Sequence, residues 1–395
     1  MPLDIDAIQQ ALLADGLDGW LLYDFHGSNP IAVRLAGVAG LHTTRRWYYF
    51  IPAAGAPQKL VHAIEPAVLE SLPGSTHSYA GREQLEAGVA RLLDRAKVVA
   101  MEFSERCAIP YISRVDAGTV DFVRELGVRV VSSGDLVGRF EAAWDEAAIV
   151  SHREASERLY RIKDRTFSYV EARLRAGGRL HEFEVQQVML GWFQQEGLVT
   201  DAPPIVAVQE NAGNPHYSPT VSHSRAIRPN ELVLLDLWGK LDAPGAVYAD
   251  ITWTGFGGTV PAHMANVFDV VAAGRDAALE TVRAGVAAGQ PVRGWQVDRA
   301  ARDAITERGF GERFIHRTGH SLGEEVHGNG VHMDDYETHD DRRLIPGTGF
   351  TIEPGVYLPE FGIRSEINVV VGTRTAEPTG PCQRQIVQFP ALAGN

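Results

Sequence analysis

The sequence predicts an N-terminal α/β domain followed by a C-terminal α+β domain. Three observations carry this prediction: strand-like and helix-like segments alternate over about the first 145 residues, a charged helical stretch follows, and the remainder is strand-rich with two similar hairpin patterns. Alternating strands and helices are typical of an α/β layer. We place the boundary within the charged stretch, so that the predicted domains span residues 1–147 and 148–395.

Apolar runs with the length and composition of buried strands define the first domain. They predict strands at residues 19–23, 47–52, 98–101 and 128–131. Helical spacing of apolar residues predicts helices at residues 83–93 and 115–126.

The second domain begins with a predicted connecting helix. Residues 145–175 are charged and contain neither proline nor glycine, which favours one long helix. Further helical segments are predicted at residues 181–197, 267–288 and 294–308.

Composition excludes several classes of protein. The 395 residues include 37 Lys and Arg against 50 Asp and Glu, a formal net charge of −13, and 45% are apolar. This acidic balance argues against a nucleic-acid partner, since such proteins need a basic face. Two distant cysteines predict neither a disulfide framework nor a thiolate metal site. No basic and apolar leader and no run of ~20 apolar residues is present, so we expect a cytoplasmic protein without a membrane partner.

The two hairpin patterns each carry two carboxylates in otherwise apolar sequence. Asp236 and Asp250 belong to the pattern at residues 231–252, and Glu353 and Glu366 to that at residues 349–369. A buried carboxylate is costly unless it is paired, protonated or metal-bound, and any one of these could form a salt bridge. Four together would repel one another strongly, and two divalent cations would remove that repulsion.

His320 is the candidate imidazole ligand. Among 14 histidines it is selected by flanking glycines, which permit close approach of backbone and ligand, and by its position between the two acidic hairpins. An oxygen-rich set with one imidazole suits Mn, Co, Zn or Fe, whereas a structural zinc site prefers thiolates and imidazoles.

These residues and their local motifs resemble the pita-bread metallopeptidases. The motifs are Asp-Ile-Thr at 250–252, Gly-His-Ser-Leu-Gly at 319–323, Thr-Ile-Glu-Pro-Gly-Val-Tyr at 351–357 and Ile-Arg-Ser-Glu at 363–366. That group includes methionine aminopeptidase, Xaa-Pro aminopeptidase, Xaa-Pro dipeptidase (prolidase) and the metal-free creatinases. The resemblance covers about residues 150–375, and the two-domain length is similar to the creatinase and prolidase branch. It implies a creatinase/prolidase-type α/β domain before a pseudo-symmetric pita-bread catalytic domain.

The resemblance also implies roles for individual residues. Asp236 would chelate one metal ion, His320 and Glu353 the other, and Asp250 and Glu366 both. Upstream of the first ligand, His216 in Asn-Pro-His-Tyr matches a histidine of the family. The implied supporting residues are His327, which would steady the scissile carbonyl, and Arg364 and Thr252, which would orient the metal carboxylates.

The implied activity is hydrolysis of an Xaa-Pro bond by a homodimer with two divalent ions, Mn, Co or Zn, in each subunit. A hydroxide bridging two cations is a nucleophile at neutral pH, and Glu353 would carry its proton to the leaving nitrogen. The substrate would be a proline-containing di- or oligopeptide, with Xaa-Pro dipeptides preferred. The X-Pro amide lacks an N–H, so specialised enzymes are needed to cleave it.

Two departures from the family pattern bear on the substrate. Prolidases often carry an arginine fourteen residues before the Glu-Pro-Gly glutamate, and this chain has His339 there, with Arg342 and Arg343 close by. Trp253 stands where an arginine is common. An Xaa-Pro aminopeptidase acting on longer peptides therefore stays an alternative. A creatinase-like hydrolase and an inactive peptide-binding module are further alternatives, but both would be expected to lack metal acids.

Overall fold

The computed structural model describes residues 3–389 and forms two compact units, Met1–Ala142 and Ala143–Asn395. The first unit ends five residues before the boundary expected after residue 147, because the residues that lead into the connecting helix fold with the second unit. Trp144 Nε1 donates a hydrogen bond of 3.0 Å to the carbonyl of Leu322. The carboxylate of Asp145 caps the helix by accepting a hydrogen bond from the Ala148 amide.

The first unit is a six-stranded mixed sheet with helices on both faces. The sheet order is β4-β3-β2-β1-β5-β6, with β1 parallel to β5 and antiparallel to β2. The elements in chain order are α1 (Ile5–Ala14), β1 (Gly19–Asp24), α2 (Pro30–Leu35), β2 (Trp47–Pro52), β3 (Gln58–His62), β4 (Ser75–Tyr79), α3 (Arg82–Leu92), β5 (Val98–Met101), α4 (Ala117–Glu125), β6 (Arg129–Ser132) and α5 (Gly134–Phe140).

Apolar side chains on both faces of β1 explain why both faces of this sheet are covered. Trp20 and Leu22 pack in one core together with α1, whereas Leu21 packs in a second core together with α3. The sequence predicted the strands β1, β2, β5 and β6 and the helices α3 and α4, and it missed β3, β4, α1, α2 and α5.

The second unit contains three sheets and four long helices among its described residues. Its elements are α6 (Glu146–Arg175), α7 (Glu182–Gln195), β7 (Leu198–Val199), β8 (Ile205–Val208), β9 (Leu232–Leu241), β10 (Ala249–Phe256), α8 (Ala262–Ala288), α9 (Gly294–Thr306), β11 (Gly349–Ile352), β12 (Gly355–Tyr357), β13 (Gly362–Arg364), β14 (Ile367–Val371), β15 (Ala376–Pro378) and β16 (Val387–Gln388). The long helix predicted from residue 145 is α6. Within residues 3–389, no helix combines the length and apolar character needed to cross a membrane.

The sheets of this unit lie between two helical layers. In the main sheet the order is β16-β10-β9-β7, and β8 also pairs with β9. Strands β11, β14 and β15 form a second sheet, and β12 and β13 form a third. Helices α6 and α7 share one hydrophobic core with β9 and β10, whereas α8 and α9 share another with β11 to β14.

Candidate metal centre

The β9–β10 hairpin directs two carboxylates to one face. Val233, Leu235 and Leu237 belong to the core beneath α6 and α7, so the alternate residues of β9 face the other way. Asp236 lies on this inner face and pairs across the ladder with Thr252, and Asp250 pairs with Trp238. Asp236 and Asp250 are therefore diagonal neighbours on the same side of the sheet.

The second predicted hairpin is interrupted at its two carboxylates. The sequence predicts two continuous strands, but β11 pairs with β14 and β12 pairs with β13, leaving a gap in each arm. Ile352 and Ile367 are partners at the end of one ladder, and Glu353 and Glu366 follow on facing chains. The backbone amide of Glu353 bonds instead to the Thr318 carbonyl, at 2.7 Å. The breaks turn both carboxylates out of the regular pleat towards the first hairpin.

His320 reaches these carboxylates because its chain passes very close to β11. A Cβ atom on Gly319 would lie 1.9 Å from the Thr351 carbonyl oxygen, so only glycine fits there. The His320 amide donates to Thr351 Oγ1 at 3.0 Å, and the same hydroxyl donates to Glu353 Oε1 at 3.1 Å. One threonine thus fixes two of the predicted ligands.

All five predicted ligands converge in the second unit. His320 Nε2 lies 3.5 Å from Asp250 Oδ2 and 3.3 Å from Glu353 Oε1. One donor atom each from Asp250, His320 and Glu366 lies within 4.8 Å of the others, and all three side chains are buried. Asp236 is joined to the group through a hydrogen bond from Arg364.

Burial and mutual repulsion raise the pKa values of two acids in this cluster. Burial, followed by the charge of Asp236, raises the pKa of Asp250 well above 3.8. Burial, followed by the charges of Asp250 and Glu353, raises the pKa of Glu366 well above 4.5. Burial also lowers the pKa of His320, so the imidazole is neutral, the form that binds metal.

The donors fit divalent cations. Among the described residues, Asp250 Oδ1 and Glu366 Oε1 are buried oxygens without a hydrogen-bond partner. Each such orphaned acceptor costs about 1–3 kcal/mol, and more when charged, unless something binds it. Four carboxylates and one neutral imidazole are a hard, oxygen-rich donor set suited to Mn, Co or Zn, and two cations would balance the charge.

Arg364 orients the carboxylate of Asp236 through hydrogen bonds. Its buried guanidinium donates to Asp236 Oδ2, to Thr252 Oγ1 at 3.0 Å and to the Tyr357 hydroxyl at 3.0 Å. The hydroxyl of Tyr357 also contacts His316 Nε2 at 2.7 Å. Tyr357 belongs to the Glu-Pro-Gly-Val-Tyr motif, but its contact with Arg364 was not predicted from the sequence.

Of the two predicted auxiliary histidines, His327 lies against the ligand His320, and His216 interacts electrostatically with His327. The rings of His327 and His320 are 4.3 Å apart and nearly perpendicular. The His327 ring retains solvent contact, yet desolvation, followed by electrostatic interactions with His320, Arg317 and His216, lowers its pKa to about 3. His216 itself is exposed.

His339, which stands in place of the expected arginine, and the neighbouring Arg342 both have other contacts. His339 is exposed, stacks on Trp295 with ring centroids 5.3 Å apart and contacts Asp335 at 2.6 Å. Arg342 is buried and donates to Asp340 and to the carbonyls of Asn329 and Gly330.

Arg317 is the basic residue that sequence reasoning overlooked. Burial lowers the pKa of His320, His327 and His332, and the Arg317 charge contributes to each of these shifts. The sequence offered one indication of this: Arg317 lies only three residues before His320, so the two residues must be close in space.

Comparisons with known proteins agree with this architecture. The model of metallopeptidase family M24 matches residues 153–373. A protein of Mycobacterium tuberculosis named Probable dipeptidase PepE is 28% identical over 346 residues, covering 86% of this chain and 84% of that protein. An Xaa-Pro dipeptidase of Lactobacillus helveticus is 37% identical over 163 residues, 41% of this chain and 40% of that protein.

A solved structure confirms the predicted two-domain fold over nearly the whole chain. The dipeptidase PepE of Mycobacterium ulcerans superposes with a TM-score of 0.69 at 24% identity, covering 98% of this chain and 97% of that one. The family match spans more than half of the chain and contains all five predicted ligands. The chain therefore belongs to metallopeptidase family M24.

Proposed function

We propose that the protein hydrolyses the Xaa-Pro bond of dipeptides with two divalent cations at the acid cluster. The observation that carries this proposal is the buried cluster of Asp250, His320 and Glu366, in which two carboxylate oxygens are left unsatisfied. Glu353 contacts His320, and Asp236 is joined to the cluster through Arg364. Relatives named as dipeptidases, one of them an Xaa-Pro dipeptidase, support the substrate class.

Asp236 would hold one cation, His320 and Glu353 the other, and Asp250 and Glu366 both. When bound, the cations would supply an activated water nucleophile and polarise the scissile carbonyl. The arrangement of the donors agrees with this division between two cations. His320 Nε2 is within 3.5 Å of both Asp250 and Glu353, whereas Asp236 is held by Arg364.

Glu353 is the proposed proton carrier. Its Oε1 accepts from Thr351 at 3.1 Å, and Arg364 Nε lies 4.0 Å from Oε2, so the carboxylate is fixed in orientation. The carboxylate would accept the proton of the attacking water and deliver it to the proline nitrogen as the bond breaks.

His327 and His216 are the proposed donors to the substrate carbonyl. A pKa of about 3 keeps His327 neutral at physiological pH, so one ring N–H can donate a hydrogen bond to the developing negative charge. Arg317 would attract the carboxylate of the substrate proline from the same side, in place of the arginine expected at position 339.

The decisive experiment measures free proline release by metal-stripped protein resupplied with Mn, Co or Zn. The peptides are Ala-Pro, Leu-Pro, Ala-Pro-Ala and Ala-Leu. Metal-dependent cleavage of only the two Xaa-Pro dipeptides is expected. Release of alanine from Ala-Pro-Ala would instead establish the aminopeptidase alternative, which the histidine at position 339 favours. No turnover with any of the three metals would refute the peptidase assignment.

A further inference from the structure

The loop between β7 and β8 runs beside the part of β9 that pairs with Asp250. Strand β7 pairs with Lys240 and Leu241 of β9, and β8 pairs with residues 233–236 of the same strand. Residues 237–239 are therefore flanked by the loop of residues 200–204 rather than by a strand. This loop carries Asp201, an exposed carboxylate.

Asp201 is fixed by a tryptophan next to a proposed metal ligand. Trp238 Nε1 donates to Asp201 Oδ1 at 2.6 Å. Trp238 is the ladder partner of Asp250, and both side chains lie on the inner face of the hairpin. Directly paired Cβ atoms in a ladder are about 5 Å apart, so the indole borders the ligand. The indole itself is only half-buried.

The charge of Asp201 extends into the centre. After burial and the charge of Asp236, it is a further cause of the raised pKa of Asp250. It also adds to the effect of burial in raising the pKa of Tyr248. The neighbouring cation Lys240 donates to the carbonyl of Glu324 at 2.6 Å and lies over the Tyr248 ring, 5.2 Å from its centroid.

The centre is thus electrically asymmetric. Trp238 holds the Asp201 carboxylate beside Asp250, whereas the neutral ring of His327 lies 4.3 Å from that of His320. An Xaa-Pro dipeptide has a positive amino end and a negative proline carboxylate. The proline carboxylate would be repelled by Asp201, so the Xaa residue belongs on the Asp201 side.

We propose that Asp201 and Trp238 form a binding site for a cationic Xaa side chain, so that the protein prefers Lys-Pro and Arg-Pro. This proposal rests on the proposed function and names its substrate class. An oriented carboxylate supplies an ion pair, and the accessible indole supplies a cation–π contact. Neither interaction is available to an aliphatic Xaa side chain.

The test compares kcat/KM for Lys-Pro, Leu-Pro and Glu-Pro in the metal-loaded protein. We expect wild type to favour Lys-Pro over Leu-Pro by roughly tenfold and to disfavour Glu-Pro, with the preference weakened in 1 M salt. Asp201→Asn should lower the Lys-Pro to Leu-Pro ratio to near one. Asp201→Lys should reverse the order of Lys-Pro and Glu-Pro, which a folding defect cannot do.

Two further variants separate the charge from the ring. Trp238→Leu should lower the ratio through loss of the indole face, and the exposed Asp269→Asn on α8 makes the same charge change outside the site and should keep the wild-type ratio. Equal turnover of Lys-Pro and Leu-Pro by wild type, or a ratio unchanged in Asp201→Asn, would overturn the inference while leaving the Xaa-Pro activity intact. Failure of wild type to cleave any Xaa-Pro dipeptide would overturn both proposals.

Discussion

The hydroxyl of Thr252 donates a hydrogen bond of 2.8 Å to Glu366 Oε2, linking the two acid-bearing hairpins. Thr252 is the ladder partner of Asp236, and its hydroxyl also accepts a hydrogen bond from Arg364. A fully buried hydroxyl with these partners orients a carboxylate of the second hairpin relative to the first. Such supporting bonds tune metal affinity.

We expect Thr252→Val to weaken metal binding by about 10- to 100-fold, because the isosteric side chain cannot hold Glu366. The measurement is the metal Kd from competition with a chelator, with circular dichroism to monitor the fold. Thr252→Ser restores the hydroxyl and should recover most of the affinity. A wild-type Kd in the valine variant would contradict the assigned role.

Replacing His327 should reduce turnover and leave metal binding intact. His327→Ala removes the proposed donor to the developing negative charge, and we expect kcat for Leu-Pro to fall about 10²- to 10³-fold. Metal content measured by mass spectrometry should match wild type. His339→Ala is the control, since His339 is exposed and contacts Trp295 and Asp335, and it should change kcat by less than twofold. Equal losses in both variants would count against the proposed carbonyl contact.

The buried acids Asp250 and Glu366 should destabilise the metal-stripped protein increasingly as the pH rises. The pKa values of Asp250 and Glu366 in the folded chain lie well above 3.8 and 4.5, chiefly because of burial. Above about pH 4.5 the unfolded chain has released protons that the folded chain still holds, so the free energy of unfolding falls with increasing pH. Buried histidines with lowered pKa values, His320 and His332 among them, act in the opposite direction below about pH 6.5, so the contribution of the acids is measured as a difference in Tm between two stripped proteins.

Asp250→Asn is the matched variant for this measurement. It removes one buried charge, so the stripped variant should have a higher Tm than stripped wild type at pH 8, and this advantage should shrink towards pH 5.5. Identical pH profiles for the two stripped proteins would show that the acid cluster does not govern their stability.

Arg275 should matter for stability although it lies behind the centre. Its fully buried guanidinium donates to Ser365 Oγ at 2.6 Å and to the Gln383 carbonyl at 2.8 Å. Arg275→Met would leave both acceptors unsatisfied, and we expect a loss of about 2–4 kcal/mol in the free energy of unfolding by urea. Arg275 also pairs with Asp276, and the exposed Arg384 lies 3.7 Å from the same carboxylate. Arg384→Met is therefore the control, and its loss should cost less than ~0.5 kcal/mol.

Local periodicity explains how much of the fold was predictable. Residues 233, 235 and 237 of β9 are apolar and face the helical core, so Asp236 had to face the opposite way. The glycine before His320 indicated a close backbone approach, and the Thr351 carbonyl provides it. These signals depend only on near neighbours in the chain, so they can be recognised in the sequence without a structure.

The sequence by itself determined the acid-bearing hairpins, the long helices and the identity of the candidate ligands, since each follows from short-range pattern and residue chemistry. Only the tertiary structure decided that the strands of the second hairpin break at Glu353 and Glu366, that His339 lies outside the centre, and that Asp201 bonds to Trp238. Asp201 and Trp238 are 37 residues apart, and their contact requires β7 and β8 to pair with the same strand. Such a meeting depends on how separate elements pack, which no local pattern encodes.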